Sequence, residues 1–522
     1  MTVPTSYPGV YIQELPSLVH TIIPAPTSVA VFVGYTHPFR TKEFGIAIRL
    51  FSFADYQANF GGFFSSPWQP DYVGQAVYQF FLNGGQTCYV VGLQAEQYFT
   101  YEGTPAQLTS HGNVAPASVV AGGVTYTAVQ PVGSTDAGIA MQVAISNVKQ
   151  TVAADDTADI VISYGTTVET YRTVQIGNLV NALAASSLVT VTLPDPAPTA
   201  FPVSGSPFSL GYGDSVPADG WTVISPLAFG PVFADYASLD KVPVFNLLAT
   251  PGITDPGVTS EAVAYCERKR AFYIMDTPSS QASGWDVNTV VANIATLSPQ
   301  PPVSINAAVY YPWLSTTDPV TGAPATSPPS GFVAGIYGKV DTSQGVWQSP
   351  AGIQTTLLGT TGVTPAGVMT DPQQGILNSS AINCLRQFPA VGTVVFGART
   401  TAGADANTAQ QQWKYVAVRR MALFIEQSLQ ANLTWAVFEP NAEPLWSALT
   451  QEVTAFMLSL FRQGAFAGTT PSQSFVVQCD ATTTTAQDVA NGRVNVLVGF
   501  APLLPAEFVV IQIAQLAGQA QS

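Results

Sequence analysis

The chain has 522 residues and a formal net charge of −15, and only 9% of its residues are charged, against about 25% in typical soluble domains. This length suits two to four domains with real cores. The acidity excludes a nucleic-acid partner, because the chain has no excess of Lys and Arg to neutralise phosphate. The 43 glycines and 40 prolines indicate a neutral, turn-rich surface suited to extensive protein contact.

The N-terminal segment predicts an extended arm. A Pro-Gly pair turns the chain, and Val10, Tyr11 and Ile12 then favour an extended conformation. The prolines that follow exclude a helix before the apolar strand predicted at residues 29–34. The segment lacks a basic region followed by an apolar core, and no apolar run reaches the ~18 residues that span a membrane. We therefore expect assembly in the cytoplasm without a signal peptide.

The middle of the chain alternates between helix and strand patterns. Helices are predicted at residues 71–82 and 261–270, and strands at residues 87–93, 242–248 and 271–275. This alternation indicates an α/β layer. A stretch rich in proline and glycine at residues 315–330 predicts a loop, and residues 357–375 are interpreted as the link to a C-terminal domain.

An acidic segment interrupts this pattern. Residues 101–220 contain nine acids and two bases, so they carry −7 of the net charge of −15. Apolar and polar residues alternate at residues 141–148 and 159–164, which is typical of strands. We interpret residues 99–220 as a mostly β domain that is inserted into an α/β domain.

Two helices are predicted near the C-terminus. Apolar residues recur at helical spacing in both, and Asn441 is a candidate cap for the second, which is predicted to end at Gly464. The first face comprises Trp413, Ala417, Met421, Phe424 and Ile425, and the second comprises Leu445, Leu449, Val453, Phe456 and Leu460.

Strand patterns follow these helices almost to the end of the chain. Val494, Val496 and Val498 alternate with other residues as in a strand, and residues 508–513 predict a second strand. Both ends of the chain therefore have the character of extended arms. Composition alone leaves open whether they pair with a sheet of their own subunit or with another molecule.

The sequence offers little that could carry catalysis or bind metal. The three histidines share no ligand spacing and are expected at the surface. The four cysteines are far apart and predict buried thiols, not a disulfide framework or a zinc site. Residues 331–340 (GFVAGIYGKV) lack the first glycine and the final hydroxyl residue of a phosphate loop. Asp318 and Asp341 are interpreted as turn or capping residues.

Segments in three regions resemble those of one family. Near the N-terminus stand PGVYIQE (8–14), TSVAVFVGY (27–35) and FFLNGGQTCYVV (80–91). YYPWL (310–314), PPSGFVAGIYGKVD (328–341) and GVWQSPAG (345–352) follow, and then AVRRMALFIEQSL (417–429), FEPNAEPLW (438–446) and residues 475–518. In this order they resemble the contractile tail sheath family, which builds the sheaths of contractile phage tails and related injection systems. Residues 101–220 remain unmatched.

This resemblance implies a multidomain fold of the α+β and α/β classes. The implied domains are an N-terminal arm (1–26), a middle α/β domain (27–98 and 221–356), an inserted, mostly β outer domain (99–220), a C-terminal inner α/β domain (357–505) and a C-terminal arm strand (506–522). The implied partners are other copies of the chain in stacked rings of six, an inner tube protein, and baseplate and terminator or cap proteins. No cofactor, metal, catalytic residue, nucleic acid or direct membrane insertion is expected.

The resemblance also implies where subunits meet. Arm strands would add to the sheet edge of neighbouring copies, and a helix of the inner domain would face the tube. The arm contacts are then Val10, Tyr11, Ile12, Phe508, Val509, Val510, Ile511 and Ile513; the acceptor edge is Val494, Val496 and Val498; and the tube-facing candidates are Trp446, Glu452 and Arg462.

The function implied is that of a structural subunit that contracts from a metastable extended sheath and drives a tube through a cell envelope. The particle would be a phage tail or an extracellular or cytoplasmic phage-tail-like device. One alternative is a non-contractile baseplate or capsid-like component of such a particle. Another is a secreted β-rich hydrolase, which would need a catalytic constellation and an export signal that the sequence does not display.

Overall fold

The structure of this chain is a computed structural model. It describes residues 21–64, 70–95, 97–102, 107–113, 116–129, 141–150, 156–164, 167–202, 207–210 and 224–508. Two compact units are present: a larger unit of Pro26–Arg420 and Pro505–Ser522, and a smaller unit of Met1–Ala25 and Met421–Leu504. The predicted arm residues Val10, Tyr11, Ile12, Val509, Val510, Ile511 and Ile513 lie outside the described residues.

Strands and helices alternate along most of the larger unit. Its strands are β1 (Ala30–Tyr35), β2 (Ala47–Leu50), β3 (Cys88–Leu93), β4 (Gln97–Glu102), β5 (Gln107–Asn113), β6 (Ser118–Ala121), β7 (Val124–Ala128), β8 (Gln142–Lys149), β9 (Thr157–Tyr164), β10 (Thr167–Gln175), β11 (Val189–Thr192), β12 (Phe208–Ser209), β13 (Leu247–Ala249), β14 (Phe272–Asp276), β15 (Ala307–Tyr311), β16 (Leu314–Thr317), β17 (Pro324–Ser327), β18 (Gly362–Val363), β19 (Ile382–Phe388) and β20 (Gly392–Val395). Its helices are α1 (Phe53–Phe60), α2 (Tyr72–Leu82), α3 (Leu179–Ala182), α4 (Gly230–Phe233), α5 (Pro256–Lys269), α6 (Val287–Ala292), α7 (Ser330–Gln344) and α8 (Asp371–Ser379), and α9 (Val416–Asn432) begins in it.

An eight-stranded sheet forms the centre of the larger unit. Its order is β2-β3-β1-β13-β14-β15-β19-β20. The six inner strands run parallel, and β2 and β20 pair antiparallel at the two edges. Every residue of β1, β14 and β15 is buried, as expected of parallel strands that are covered on both faces. Side chains of α5, α6 and α8 share a core with one face of the sheet.

Helices α2 and α7 pack closely against each other, because glycines of α7 leave room for α2. A Cβ atom at Gly331 would lie 2.4 Å from the Cα of Ala76, and one at Gly335 would lie 2.7 Å from the carbonyl oxygen of Phe80. The glycine-rich run at residues 331–340 is thus a buried helix–helix contact. The glycines of this run are spaced for contact with α2, which explains why the run only partly matches the sequence of a phosphate loop.

Strands β4 to β12 form sheets separate from the central one. A four-stranded sheet has the order β10-β9-β8-β12, and a three-stranded sheet has the order β11-β7-β6. Alternate residues of β9, namely Ala158, Ile160, Ile162 and Tyr164, are buried, and they share a core with apolar residues of both sheets. The boundaries predicted for this segment, 99 and 220, stay a prediction.

The smaller unit is built on helices. It contains the rest of α9, then α10 (Glu443–Arg462), α11 (Pro471–Ser474), β21 (Phe475–Gln478), α12 (Ala486–Ala490) and β22 (Leu497–Phe500). The predicted face of α10 is buried at all five positions. Leu445 and Leu449 pack with Cys479, and Val494 and Val496 lie against this cluster. The division between the two units lies at Met421, and the domain boundary predicted at residue 357 stays a prediction.

Several predicted elements are confirmed. Helix α2 occupies the predicted span, with Asp71 as its cap, and β3 and β14 match their predictions within one residue at each end. Strands β8 and β9 match the alternating patterns of the inserted segment. In the first C-terminal helix, Ala417, Met421, Phe424 and Ile425 are buried. Gly464 adopts a φ of +78° after α10, as expected of the residue that ends a helix.

Other predictions are wrong in physically understandable ways. The loop at residues 315–330 is instead an antiparallel pairing of β16 with β17, followed by α7, because turn residues also occur at hairpin tips. The strand predicted at 242–248 is only Leu247–Ala249. Trp413, predicted on the face of the first C-terminal helix, lies in a short 3-10 helix that precedes α9. The residue that caps α10 is Ala442 and not the predicted Asn441, whose side chain accepts a hydrogen bond from the indole of Trp446. The pattern at 494–500 is a strand only from Leu497.

The predicted surface position of the histidines is wrong for His37, whose side chain is buried and packs edge-on against Phe64. His20 lies outside the described residues, and the side chain of His111 is not described. Among the residues that the structure describes, no helix is both long and apolar enough to cross a membrane.

Asp276 ties the central sheet to the start of α7. One oxygen of its buried carboxyl group accepts from the Ser330 N–H at 2.8 Å, and the other accepts from the Ser330 hydroxyl at 2.7 Å and the Gly252 N–H at 2.9 Å. Burial raises the pKa of Asp276 to about 6 from its ordinary value of 3.8. The folded state therefore holds this proton more tightly than the unfolded state does.

We expect Asp276 to make the stability of the larger unit depend on pH. Because its folded pKa is the higher one, its contribution is fully present below about pH 4 and is lost as the pH rises through about 6. One pKa unit is worth about 1.4 kcal/mol, so the loss is about 3 kcal/mol. Urea unfolding of the protein and of Asp276→Asn measures it. The stability of the wild type relative to Asp276→Asn should fall by about 2 kcal/mol from pH 4 to pH 6.5, since the rest of the loss lies outside this range. An unchanged relative stability would contradict this account.

Candidate assembly surfaces

A buried ion pair fixes the beginning of α9 to α7. The guanidinium of Arg420 donates to both oxygens of Asp341, at 2.9 and 2.6 Å, and the two side chains are only 3% and 1% exposed. Arg420 also donates to the carbonyl oxygen of Thr27 at 2.8 Å and lies over the ring of Tyr337 at 4.6 Å. The first residues of the larger unit after the N-terminal segment are thereby attached to its interior.

This pair corrects the interpretation of Asp341. The prediction that it caps or turns the chain is wrong, because it lies inside α7 and its two oxygens are engaged by Arg420. Asp318 does fulfil the predicted turn role and accepts from the N–H groups of Val320 and Thr321. Sequence reasoning missed the pair since its members are 79 residues apart.

The segment that precedes Pro26 is held by side chains of α9 within the smaller unit. The N–H of Ile23 donates to the Asn432 side chain at 3.1 Å, and that side chain donates back to the carbonyl of Ile23 at 2.8 Å. The N–H of Ala25 donates to the hydroxyl of Ser428 at 3.0 Å. These bonds engage the backbone itself, so they fix the path of the chain with little dependence on its side chains.

Within the described residues, strand β22 pairs with another strand along one edge only, and the other is its open edge. The antiparallel register pairs Val477 with Val498 and Phe475 with Phe500, and the N–H of Ala501 donates to Ser474 at 2.8 Å. Hydrogen-bonded and non-hydrogen-bonded pairs alternate in such a ladder. The N–H and C=O groups of Val498 and Phe500 therefore point away from β21.

These outward groups form a candidate acceptor for an added strand. Among the strands in the described ranges, β22 pairs with β21 alone, and a sheet of two strands is only marginally stable in water. Leu497 and Val476 are about half exposed, at 53% and 52%. Of the three predicted edge residues, Val498 lies in β22, whereas Val494 and Val496 precede it and pack against the core of the smaller unit.

A second buried arginine holds the chain just after it returns to the larger unit. Arg399, whose side chain is 2% exposed, donates to both oxygens of Glu507 at 2.7 and 2.6 Å. It also donates to Asp405 and to the carbonyl of Asn378, each at 2.9 Å. Burial works to lower the pKa of Arg399, but Glu507, together with Asp405 and Tyr415, outweighs it and holds that pKa above its ordinary value.

A cavity of about 660 Å³ lies beside this ion pair in the larger unit. Residues 505–508 form one wall, and Phe388, Phe396 and Tyr415 contribute aromatic side chains to the rest. Phe508, a predicted arm contact, lines the cavity while its own side chain is 76% exposed. The described part of the chain ends here.

The three tube-facing candidates occupy different environments. Glu452 is buried and accepts from the indole N–H of Trp435 at 3.1 Å. Trp446 is half buried and donates to Asn441 at 2.8 Å. Arg462, in the last turn of α10, is exposed. Contact with a tube stays a prediction for all three. Arg462 is the most accessible of them, because the other two side chains are buried or half buried.

The cysteines are buried thiols, as predicted. Burial raises the pKa of Cys384 to about 12 and those of Cys88 and Cys266 still further, so these thiols stay protonated at neutral pH. Within the described ranges, no group of three or more His, Cys, Asp and Glu residues is arranged to hold a metal ion. The buried charged groups described above, Arg420 with Asp341 and Arg399 with Glu507, are thus interpreted as structural ion pairs.

Two family models match the chain. The model of the phage tail sheath protein central domain matches residues 236–401, and that of the phage tail sheath C-terminal domain matches residues 408–515. Together they span more than half of the chain. They include Asp341, Arg399, Arg420 and Glu507, and also β21 and β22.

Individual relatives agree with these models. A putative prophage major tail sheath protein of Pseudomonas aeruginosa (strain UCBPP-PA14) is 25% identical over 280 residues, which cover 52% of this chain and 66% of that relative, just under two thirds. A chain of the contracted sheath complex of PVC, an extracellular contractile injection system, is 24% identical with a TM-score of 0.57 and covers 99% of both chains. A chain of the six-fold symmetrised baseplate of the anti-feeding prophage is 23% identical with a TM-score of 0.56, over 98% of this chain and 99% of that one. At such identities the structural matches show a common fold.

Breaking the Arg420–Asp341 pair should strongly destabilise the larger unit. Arg420→Met leaves the Asp341 carboxylate buried without its partner, which typically costs about 3–5 kcal/mol. The double variant with Asp341→Leu removes both charges and should recover much of that loss. Urea unfolding measures the effect. Arg493→Met breaks a pair with Asp488 in which the arginine side chain is 64% exposed and should change stability by under about 1 kcal/mol; an equal effect at Arg420 would contradict the assignment.

Proposed function

This chain belongs to the phage tail sheath family, and on that premise we propose that it is the structural sheath subunit of a contractile phage tail or phage-tail-like injection particle. Copies polymerise into stacked rings of six around an inner tube. The sheath then contracts from a metastable extended state and drives the tube through the envelope of a target cell. This role needs no catalytic residue.

The open edge of β22 is the observation that carries this proposal. A sheath must join its subunits while they move, and strand addition does so by satisfying unpaired backbone groups with a segment of another chain. Each hydrogen bond contributes a net ~0.5–1.5 kcal/mol, so a strand of five residues contributes several kcal/mol. Repeated in every copy, this keeps a lattice connected.

The arms supply the added strands. Residues 10–12 precede the backbone that Asn432 and Ser428 hold, and residues 508–513 begin directly after Glu507, which Arg399 holds. Each arm therefore leaves the subunit from an attached point. The acceptor is the β22 edge around Val498 on neighbouring copies.

Contraction is driven by the burial of additional surface between subunits. In the extended sheath the faces of the subunits are incompletely buried, and contraction buries more of them as the subunits tilt and move outward. The acidic segment 99–220 lies outermost, where solvent screens its charge and repulsion limits lateral aggregation. The inner tube, the baseplate and the cap proteins are the heterologous partners.

A second candidate is a non-contractile component of the same type of particle. The observation that favours it is the match to a chain of the anti-feeding prophage baseplate. Electron microscopy of the protein, alone and with its candidate tube protein, separates the two. Ridged, hollow cylinders of six-fold symmetry support the sheath, and discrete rings or monomers under both conditions support the alternative.

We expect Val498→Pro to abolish long sheaths while the smaller unit stays folded. Proline removes the outward N–H of Val498 without removing a bond to β21, and proline is tolerated on edge strands. Val498→Ala keeps that N–H and should assemble normally. Sheath lengths in negative-stain images measure the effect, with circular dichroism as the test of folding. Normal sheaths from the proline variant would refute this edge as the acceptor.

Deletion of residues 1–14 should also abolish long sheaths. The deletion removes Val10, Tyr11 and Ile12 but leaves Ile23 and Ala25, whose backbone bonds to α9 belong to the folded unit. Sedimentation and electron microscopy should find folded subunits or short rings. Intact sheaths of ordinary length would show that this arm does not join the copies.

A further inference from the structure

Arg399 has the features of a preformed receptor for a carboxylate. Its backbone N–H donates to the Asn383 side chain at 2.7 Å, and that side chain donates to the Arg399 carbonyl at 2.8 Å and to the Val309 carbonyl at 3.1 Å. Asn383 lies in β19 and Val309 in β15, so the central sheet holds the backbone of Arg399. The carbonyl of Asn378 and the carboxylate of Asp405 fix one end of the guanidinium.

At the other edge of this guanidinium, Glu507 is the hydrogen-bond partner among the described residues. Asp405 is shared, because it also accepts from Lys414 at 2.8 Å, and its side chain is 52% exposed. The Asp405 carboxylate thus faces two cations, Lys414 and the buried Arg399, and cannot balance both charges by itself. Glu507 supplies the second negative charge, and it does so in the two-bond fork geometry that gives arginine–carboxylate pairs their strength.

We propose that this receptor anchors the C-terminal arm: Glu507 occupies it in the same chain and fixes the point from which residues 508–522 depart. This rests on the proposed function, in which the arm adds a strand to a neighbouring copy. An uncompensated buried guanidinium is strongly unfavourable, so the anchor stays closed while the arm engages its neighbour. The receptor is therefore a positioning site and not a release switch.

The anchor limits which neighbour can receive the arm. An extended chain advances about 3.3–3.6 Å per residue, so the end of the segment 508–513 lies no more than about 22 Å from Glu507. An acceptor edge beyond that distance is out of reach of the predicted strand 508–513. Arg399 thereby selects a neighbour in the lattice, and it does so without touching that neighbour.

Hydrogen–deuterium exchange on the full-length, unassembled protein tests the anchor directly. Glu507→Gln should speed the exchange of the amides of residues 506–508 at least tenfold, because the carboxylate that holds them is gone. Asp371→Asn is the matched control: Asp371 lines the same cavity and pairs with Arg386 at 2.9 Å, but its side chain is 92% exposed. That variant should leave the exchange of residues 506–508 unchanged.

A second variant separates the loss of the anchor from a general loss of stability. Arg399→Gln combined with Glu507→Gln leaves no uncompensated charge at the pair, so it should melt closer to the wild type than Glu507→Gln does and still exchange rapidly at residues 506–508. Unchanged exchange in both variants would overturn the anchor.

Assembly separates this inference from the function on which it rests. If the wild type forms sheaths, both anchor variants should form shorter or irregular ones, and sheaths of ordinary length and pitch from both would overturn the selection of a neighbour. If the wild type forms no sheath with its tube protein, the proposed function fails, while the exchange measurement still decides whether Glu507 is anchored.

Discussion

A buried charge must meet an opposite charge, and this constraint organises the larger unit. The chain has few charged residues, yet two arginines are almost fully enclosed. Arg420 meets Asp341 and also holds the carbonyl of Thr27, while Arg399 meets Glu507. Each pair ties a segment near one end of the described chain to the interior. Since an unpaired ion in such a place is strongly unfavourable, these ties are the least dispensable contacts of the two segments.

The contacts proposed between copies are of the opposite kind. They use exposed backbone groups on β22, each worth little alone, and they involve no buried charge. Such bonds tolerate many side chains and can persist while subunits change orientation, whereas a buried ion pair is lost if its geometry changes. Strong ties within the subunit and weak, numerous ones between subunits suit a lattice that must stay joined as it contracts.

Local sequence patterns were enough to predict a helix or strand where one face of the element is buried. The α10 face from Leu445 to Leu460 and the alternation in β9 were readable because burial repeats with the period of the element. Turn residues were less informative: the proline- and glycine-rich stretch before α7 is a hairpin, and His37 is buried beside a turn. For the assembly surfaces, the sequence pointed to Val494, Val496 and Val498; the structure places Val498 in β22, whereas Val494 and Val496 are partly buried and pack against a cluster of the smaller unit.

By itself the sequence determined the family, through the order of short motifs, and the type of its long elements, because hydrophobic periodicity is a local property. Only the tertiary structure decided the ion pairs. Arg399 and Glu507 are 108 residues apart, and Arg420 and Asp341 are 79 apart. No periodicity relates such positions, since their meeting depends on how strands and helices stack. The direction of the backbone groups of β22 that point away from β21 was likewise decided by the pairing of the two strands, because register, and not residue type, sets which groups point outward.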